Sequence, residues 1–181
     1  MNIQRVITPR ERIGKVPDKL FLFRSCTGSM EYPGTENGIK EVLKILGVEV
    51  VMDPDQTCCS GYILTCSGYK PETALAVTAR NLGLVEQRYD GLDVYAFCNG
   101  CFGYLSELTH ILNQSQSYKD MSNQLVGQWG YHYQGKARIF HVQELYYQLI
   151  EKIREKVVHP LTGLRVASHY GCHYLAQQYG I

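Results

Sequence analysis

Long apolar runs are missing from this sequence. The longest, such as Val48–Met52, fall far short of the ~20 residues that a membrane-crossing helix needs. One-sided charge is missing too. The formal net charge is +1, which provides no strong field for nucleic acid or acidic membranes. Neither a nucleic-acid partner nor direct membrane insertion is therefore expected. The stretch Met1–Leu20 mixes Arg, Lys, Glu, Asp and Pro without the apolar centre of a secretory signal, so the expected setting is cytoplasmic and reducing. In that setting seven cysteines point to metal binding or catalysis rather than structural disulfides, and an odd count points the same way.

What is present suits one globular domain. The chain has 181 residues and is 45% apolar, enough to bury a core. Its 14 tyrosines can pack a ring while placing a hydroxyl on a polar partner. Residues 1–19 read as a polar arm or edge segment, and Phe21-Leu22-Phe23 as a strand. Thr35 caps a helix on which Ile39, Val42, Leu43 and Leu46 share a face, and Gly47 ends it. Val48–Met52 reads as a buried strand, and Pro71 opens a long helix reaching Arg88. Asp93–Phe97 is a strand and Phe102–Leu112 a helix. A further helix is expected near Met121–Val126, a strand at Ala137–Phe140, a helix over Val142–Lys156 and a last strand at Leu164–Ser168. This alternation predicts an α/β fold with a mainly parallel sheet flanked by helices.

Ligands of such sheets gather beyond the carboxyl ends of the strands, and the cysteines obey that geometry. Cys26 follows the first strand, Cys58 and Cys59 follow the second, and Cys98 and Cys101 follow the third. Gly28, Gly61, Gly100 and Gly103 stand beside them and suit loops that fold tightly and let the backbone approach a cluster. A Cys58–Cys59 disulfide is disfavoured, because adjacent Cα atoms lie ~3.8 Å apart, below the ~4.4–6.8 Å usual for bridged pairs. Adjacent thiolates reach two different irons instead. Five cysteines exceed the need of tetrahedral zinc and favour a multi-iron cluster, with zinc as the alternative. Cys66 falls outside the pattern and reads as a buried spare thiol. Cys172, in Ser168-His169-Tyr170-Gly171-Cys172-His173, echoes Phe23-Arg24-Ser25-Cys26 and looks like the start of a second copy of the motif.

Several stretches together resemble the cysteine-rich CCG-domain family, in its branch of heterodisulfide reductase B-type subunits. They are Cys26 with Tyr32-Pro33-Gly34, Leu46-Gly47-Val48-Glu49-Val50, Cys58-Cys59, Thr78-Ala79-Arg80-Asn81-Leu82, Cys98-Asn99-Gly100-Cys101-Phe102-Gly103 and His169-Tyr170-Gly171-Cys172-His173. They span most of the chain, from Phe21 to Leu175. The resemblance implies a duplicated domain, each copy binding a noncubane [4Fe–4S] cluster through five cysteines. It also implies cleavage of the coenzyme M–coenzyme B heterodisulfide in methanogens, with electrons from a ferredoxin-like subunit of the C type and, further upstream, a flavin-containing or membrane cytochrome partner. The corresponding division is an N-terminal extension at 1–20, a first CCG domain at 21–160 and the start of a truncated second one at 161–181. The first ligand set is complete in Cys26, Cys58, Cys59, Cys98 and Cys101, whereas the second offers only Cys172.

His169 and His173 flank Cys172 and are candidate proton donors to a leaving thiolate; the plainer reading is that they hydrogen-bond near a strand end. His110, His132, His141 and His159 read as surface or core hydrogen-bonders. Lys152, Arg154 and Lys156 form a charged helix face, solvated or docked on an acidic partner. Two functions follow. The first is a subunit that reduces a disulfide at an iron–sulfur site. The second is a non-catalytic electron-transfer or zinc-binding subunit that mediates complex assembly.

Overall fold

A computed structural model describes residues 12–59, 61 and 68–179; Cys66 lies outside them. The core is a four-stranded sheet of β1 (Lys19–Phe23), β2 (Glu49–Val51), β3 (Val94–Ala96) and β4 (Ile139–His141). All pairings are parallel and the spatial order is β2-β1-β3-β4. The expected α/β class with a mainly parallel sheet is therefore the observed one. The chain leaves β1 toward one edge and returns to its other side, so the order reverses between β1 and β3.

Period-2 alternation sorts the strand residues onto two faces. Leu20, Leu22, Tyr95 and Phe140 face one core, with Ile13, Ile39, Leu43, Leu145 and Leu149. Phe21, Phe23, Val94, Ala96 and Ile139 face the other, with Leu75, Leu82, Phe102, Leu105 and Leu112. A parallel sheet covered on both sides is the usual outcome, because crossover helices must lie on its faces.

The first face carries α2 (Pro33–Ile45) and α6 (Val142–Gln148). The second carries α3 (Pro71–Arg88) and α4 (Asn99–Gln114), with α5 (Gln116–Gly127) packed outside. Pro33 and Pro71 each sit in the first turn of their helices, where a missing N–H costs nothing. Three short elements complete the chain: α1 (Cys26–Met30), α7 (Ile150–Lys156) and α8 (Cys172–Tyr179).

Four local expectations need correction, the first being the cap of α2, which is Tyr32, with Thr35 inside the first turn. The single helix over Val142–Lys156 is two, because Leu149 leaves helical geometry (φ −93°, ψ 10°). The Leu164–Ser168 strand does not form. Leu164 and Val166 are 61% and 74% exposed, and an alternating pattern makes no strand without a partner edge. The fourth strand runs over Ile139–His141 rather than Ala137–Phe140. Of the N-terminal arm, the start of the described part packs on the domain while Gly14, Lys15 and Asp18 are exposed. Ile13 is 2% exposed, Arg12 pairs with buried Glu144 at 2.9 Å, and Arg12 also donates to the Ile139 carbonyl at 3.2 Å.

Candidate iron–sulfur site

Each cysteine is placed by a strand end. After β1 the chain turns at Ser25, whose hydroxyl accepts from the Gly28 N–H (3.3 Å) and caps α1; Cys26 is the first residue of that helix. After β3, Cys98 is the residue before α4, and Cys101 falls in its first turn. A spacing of three on a helix start turns both sulfurs to one side. The α4 helix thus begins at Asn99 rather than Phe102, and it was the two glycines near its start that masked this in the sequence.

Residues 52–59, which follow β2, form no helix or strand, so side chains fix them. Asp53, 2% exposed, accepts from Arg88 at 3.0 Å and from the Tyr89 hydroxyl at 2.8 Å. Burial alone would raise the Asp53 carboxyl, but the Asp55 N–H, Tyr89 and Arg88 together hold it below its usual range. Further along, the Asn81 side chain accepts from the Thr57 N–H and hydroxyl and donates to the Cys58 carbonyl. None of these fixing residues was singled out from the sequence as part of the site. In the sequence Asn81 appears only within the Thr78-Ala79-Arg80-Asn81-Leu82 stretch of the resemblance, with no role attached to it.

Cys26, Cys58, Cys59, Cys98 and Cys101 together line one cavity of ≈ 450 Å³, with Thr27, Met30, Glu31, Gly61, Gly100 and His173. Three loops far apart in sequence do converge, beside the point where the strand order reverses. Cys101 is buried, Cys26, Cys59 and Cys98 are half-buried, and Cys58 is exposed. The Cys101 thiol, the Ser25 hydroxyl and the Gly100 and Cys101 N–H groups pull the Cys98 thiol down to about 5, against burial, which raises it. Cys101 goes the other way, pushed far up by its Cys59 and Cys98 neighbours and by burial. Crowded sulfurs of this kind cannot all ionise unless a cation sits among them.

The donor set therefore fits an iron–sulfur cluster: soft sulfur ligands around a cavity, with backbone N–H groups turned toward one of them. Among the described residues, no three His, Cys, Asp or Glu side chains are arranged to hold a single metal ion. The five thiols ring a volume instead.

The remaining predicted residues divide. His173 lines the cavity, its ring 5.4 Å from that of Tyr104. His169 does not; it is exposed, and its Nδ1 accepts from the Gly171 N–H at 3.1 Å. Cys172 is exposed and does not belong to the cavity lining.

Of the two parts expected of the glycines, tight folding is the more visible. A Cβ on Gly28 would stand 2.2 Å from the Phe97 ring, one on Gly61 1.9 Å from Tyr104, and one on Gly103 3.1 Å from the His173 Cβ. Only Gly100 faces a cysteine sulfur, with 3.7 Å to Cys98. They let helices and loops close on one another around the site more than they expose backbone to it.

A family model for a cysteine-rich domain, CCG, matches residues 20–106. The chain is 35% identical over 159 residues to the B-type subunit of the ferredoxin/F420H2-dependent CoB-CoM heterodisulfide reductase of Methanosarcina acetivorans, covering 87% of this chain and 52% of that one. It is 32% identical to a protein of Archaeoglobus profundus that is itself described as like the heterodisulfide reductase B-type subunit, with the same coverages. It is 29% identical to the 8-methylmenaquinol:fumarate reductase membrane anchor subunit of Wolinella succinogenes, covering 84% and 52%. The chain thus spans about half the length of these relatives. Among solved structures, a hypothetical protein from Helicobacter pylori superposes with a TM-score of 0.60 at 15% identity, over 72% of this chain and 25% of that one, a likeness of fold.

Proposed function

We propose, from the match of residues 20–106 to the cysteine-rich CCG family model and from the similarity to heterodisulfide reductase B-type subunits, that this chain is the iron–sulfur part of a heterodisulfide-reductase-like complex that reduces a disulfide. The carrying observation is the convergence of Cys26, Cys58, Cys59, Cys98 and Cys101 on one cavity. On this reading these five hold a noncubane [4Fe–4S] cluster, and Cys172 belongs to the second motif. The bound cluster would supply one-electron steps for splitting a disulfide, chemistry that belongs to the cofactor.

The chain's own residues do the rest. The cavity walls, Thr27, Met30 and Gly61 among them, admit and orient a sulfur compound. His173, which lines the cavity, would hand a proton to a departing thiolate. His169 acts at one remove, by shaping the Gly171 turn that carries His173. The electron donor is proposed to be a ferredoxin-like subunit of the C type, with a flavin-containing subunit behind it. The substrate is the coenzyme M–coenzyme B heterodisulfide or a related disulfide. The proposed division is an N-terminal extension at 1–20, a first CCG domain at 21–160 and the beginning of a second at 161–181. Among the described residues no helix is long and apolar enough to cross a membrane.

A non-catalytic reading keeps the same cysteines around zinc or an electron-relaying cluster. Anaerobically purified chain, combined with a polypeptide equivalent to the remaining half of its relatives, separates the two readings. Disulfide-dependent oxidation of a reduced viologen dye, lost in His173→Ala with iron content unchanged, is the expected result. An iron-loaded complex that never oxidises the dye with any disulfide tested would leave only the relay function.

A further inference from the structure

We infer that Asn81 is a positioning residue that holds Cys58 and Cys59 in their different settings before any cluster binds, and that Gln56 ties the same loop to the Cys26 turn. The inference rests on the reading that these cysteines are ligands, but the geometry behind it does not.

Asn81 is 1% exposed in the middle of α3, where a polar side chain must justify its burial with hydrogen bonds. Its Oδ1 accepts from the Thr57 N–H at 3.0 Å, from the Thr57 hydroxyl at 3.0 Å and from the Arg80 guanidinium at 3.2 Å. Its Nδ2 donates to the Cys58 carbonyl at 2.9 Å. One amide thus fixes both sides of the Thr57–Cys58 peptide. The Cys58 side chain is left exposed and the next one, Cys59, half-buried, where it meets Cys101.

Gln56 does a similar task one residue earlier. Its Oε1 accepts from the Arg24 N–H at 2.8 Å, and its Nε2 donates to the Arg24 carbonyl at 3.0 Å and to the Thr57 carbonyl at 3.0 Å. The side chain stands in for a strand pairing with the segment that leads into Cys26. Two amides therefore link three of the five cysteines, and neither touches a sulfur. Residues 52–59, outside any helix or strand, would otherwise lose their shape whenever the cluster was absent.

The test reads thiol accessibility in cluster-free, reduced protein. Iodoacetamide modification is followed at each cysteine by peptide mass spectrometry, with circular dichroism to confirm folding. In the unaltered chain Cys58 should react roughly tenfold faster than Cys59, the protection of one held buried position. In Asn81→Asp, which keeps the shape but turns an acceptor on the Cys58 carbonyl, the two rates should converge while Cys98 and Cys101 keep theirs. In Gln56→Ala, at a half-buried site that should tolerate truncation, Cys26 and Cys58 should accelerate together.

An Asn81→Asp protein that folds and keeps the Cys58 to Cys59 ratio would overturn the inference, as would a uniform rise at all five cysteines. If Asn81→Asp does not fold, unchanged Cys26 and Cys58 rates in Gln56→Ala would do the same. After reconstitution with iron and sulfide, the Asn81→Asp cluster should give an altered EPR line shape, and an identical one counts against positioning. If the unaltered chain takes up no iron, the cluster reading fails while the alkylation rates still decide the role of Asn81.

Discussion

His141 ends β4 with its ring 1% exposed, held at 5.5 Å from Phe102 and 5.2 Å from Tyr174. Its Nδ1 accepts from the Gln143 N–H and so caps α6, a bond only the neutral ring makes with that nitrogen. Burial pushes the imidazole down from 6.5 to about 4. The folded value lies below the unfolded one, so its contribution to stability is complete above pH 6.5 and is lost as pH falls toward 4. The loss should reach at most about 3 kcal/mol, and His141→Asn, which keeps a capping acceptor, should flatten that part of the stability curve in urea titrations. The cysteines themselves are a second residue-scale case. Their placement after successive strands was legible, because strand ends in a parallel sheet share one side. What fixes them was not: Asn81 and Gln56 act through backbone groups, and Asp53 through the Arg88 and Tyr89 side chains, on a loop whose path no periodicity encodes. Cys59→Ser or Cys98→Ser should lower bound iron and sulfide, and Cys66→Ser should leave both near the unaltered level, measured by colorimetric assay after anaerobic purification.

At the scale of elements, the site depends on how closely α1 and α8 approach the sheet and α4. Gly28→Ala would drive a Cβ into Phe97, 2.2 Å away, and should displace α1 and with it Cys26. Overpacking of that kind costs about 1–3 kcal/mol. Thermal unfolding would read the cost, and iron loading should fall further than stability alone explains. The loop into β4 is held differently. Glu86, 8% exposed, accepts from the N–H groups of Gln134, Gly135, Lys136 and Ala137. Glu86→Gln turns an N–H₂ group on part of that row and should destabilise by about 2 kcal/mol in denaturant titration. Elements with a local signal were read well: α3 runs from Pro71 to Arg88, as the proline and the apolar spacing indicated. Elements decided by tertiary partners were not. The five-residue α1 is too short to show a period, α6 and α7 part at Leu149, and Leu164–Ser168 has strand composition without a neighbouring edge.

At the scale of the whole molecule, apolar surface gathers along the chain that follows α7. Val158, Leu161, Leu164, Val166 and Tyr170 are each more than 60% exposed, and exposed apolar side chains mark a partner surface where they are contiguous. Tyr174 does not join them, since it packs on Phe102 and His141. The chain spans about half the length of its heterodisulfide reductase relatives, and the proposed cover for this stretch is the rest of a second CCG domain. Multi-angle light scattering should show self-association of the 181-residue chain, relieved when that half is added; a monodisperse monomer would speak against it. The central claim, one cluster on five cysteines, is tested most directly by iron and acid-labile sulfide per chain in anaerobically purified protein. The measurement is made on the unaltered chain and on Ser variants of Cys26, Cys58, Cys59, Cys98, Cys101 and Cys172. The account predicts iron and sulfide in equal amounts, a fall in each of the first five variants, and retention in Cys172→Ser. Zinc without sulfide, or a loss in Cys172→Ser as large as in the others, would contradict it.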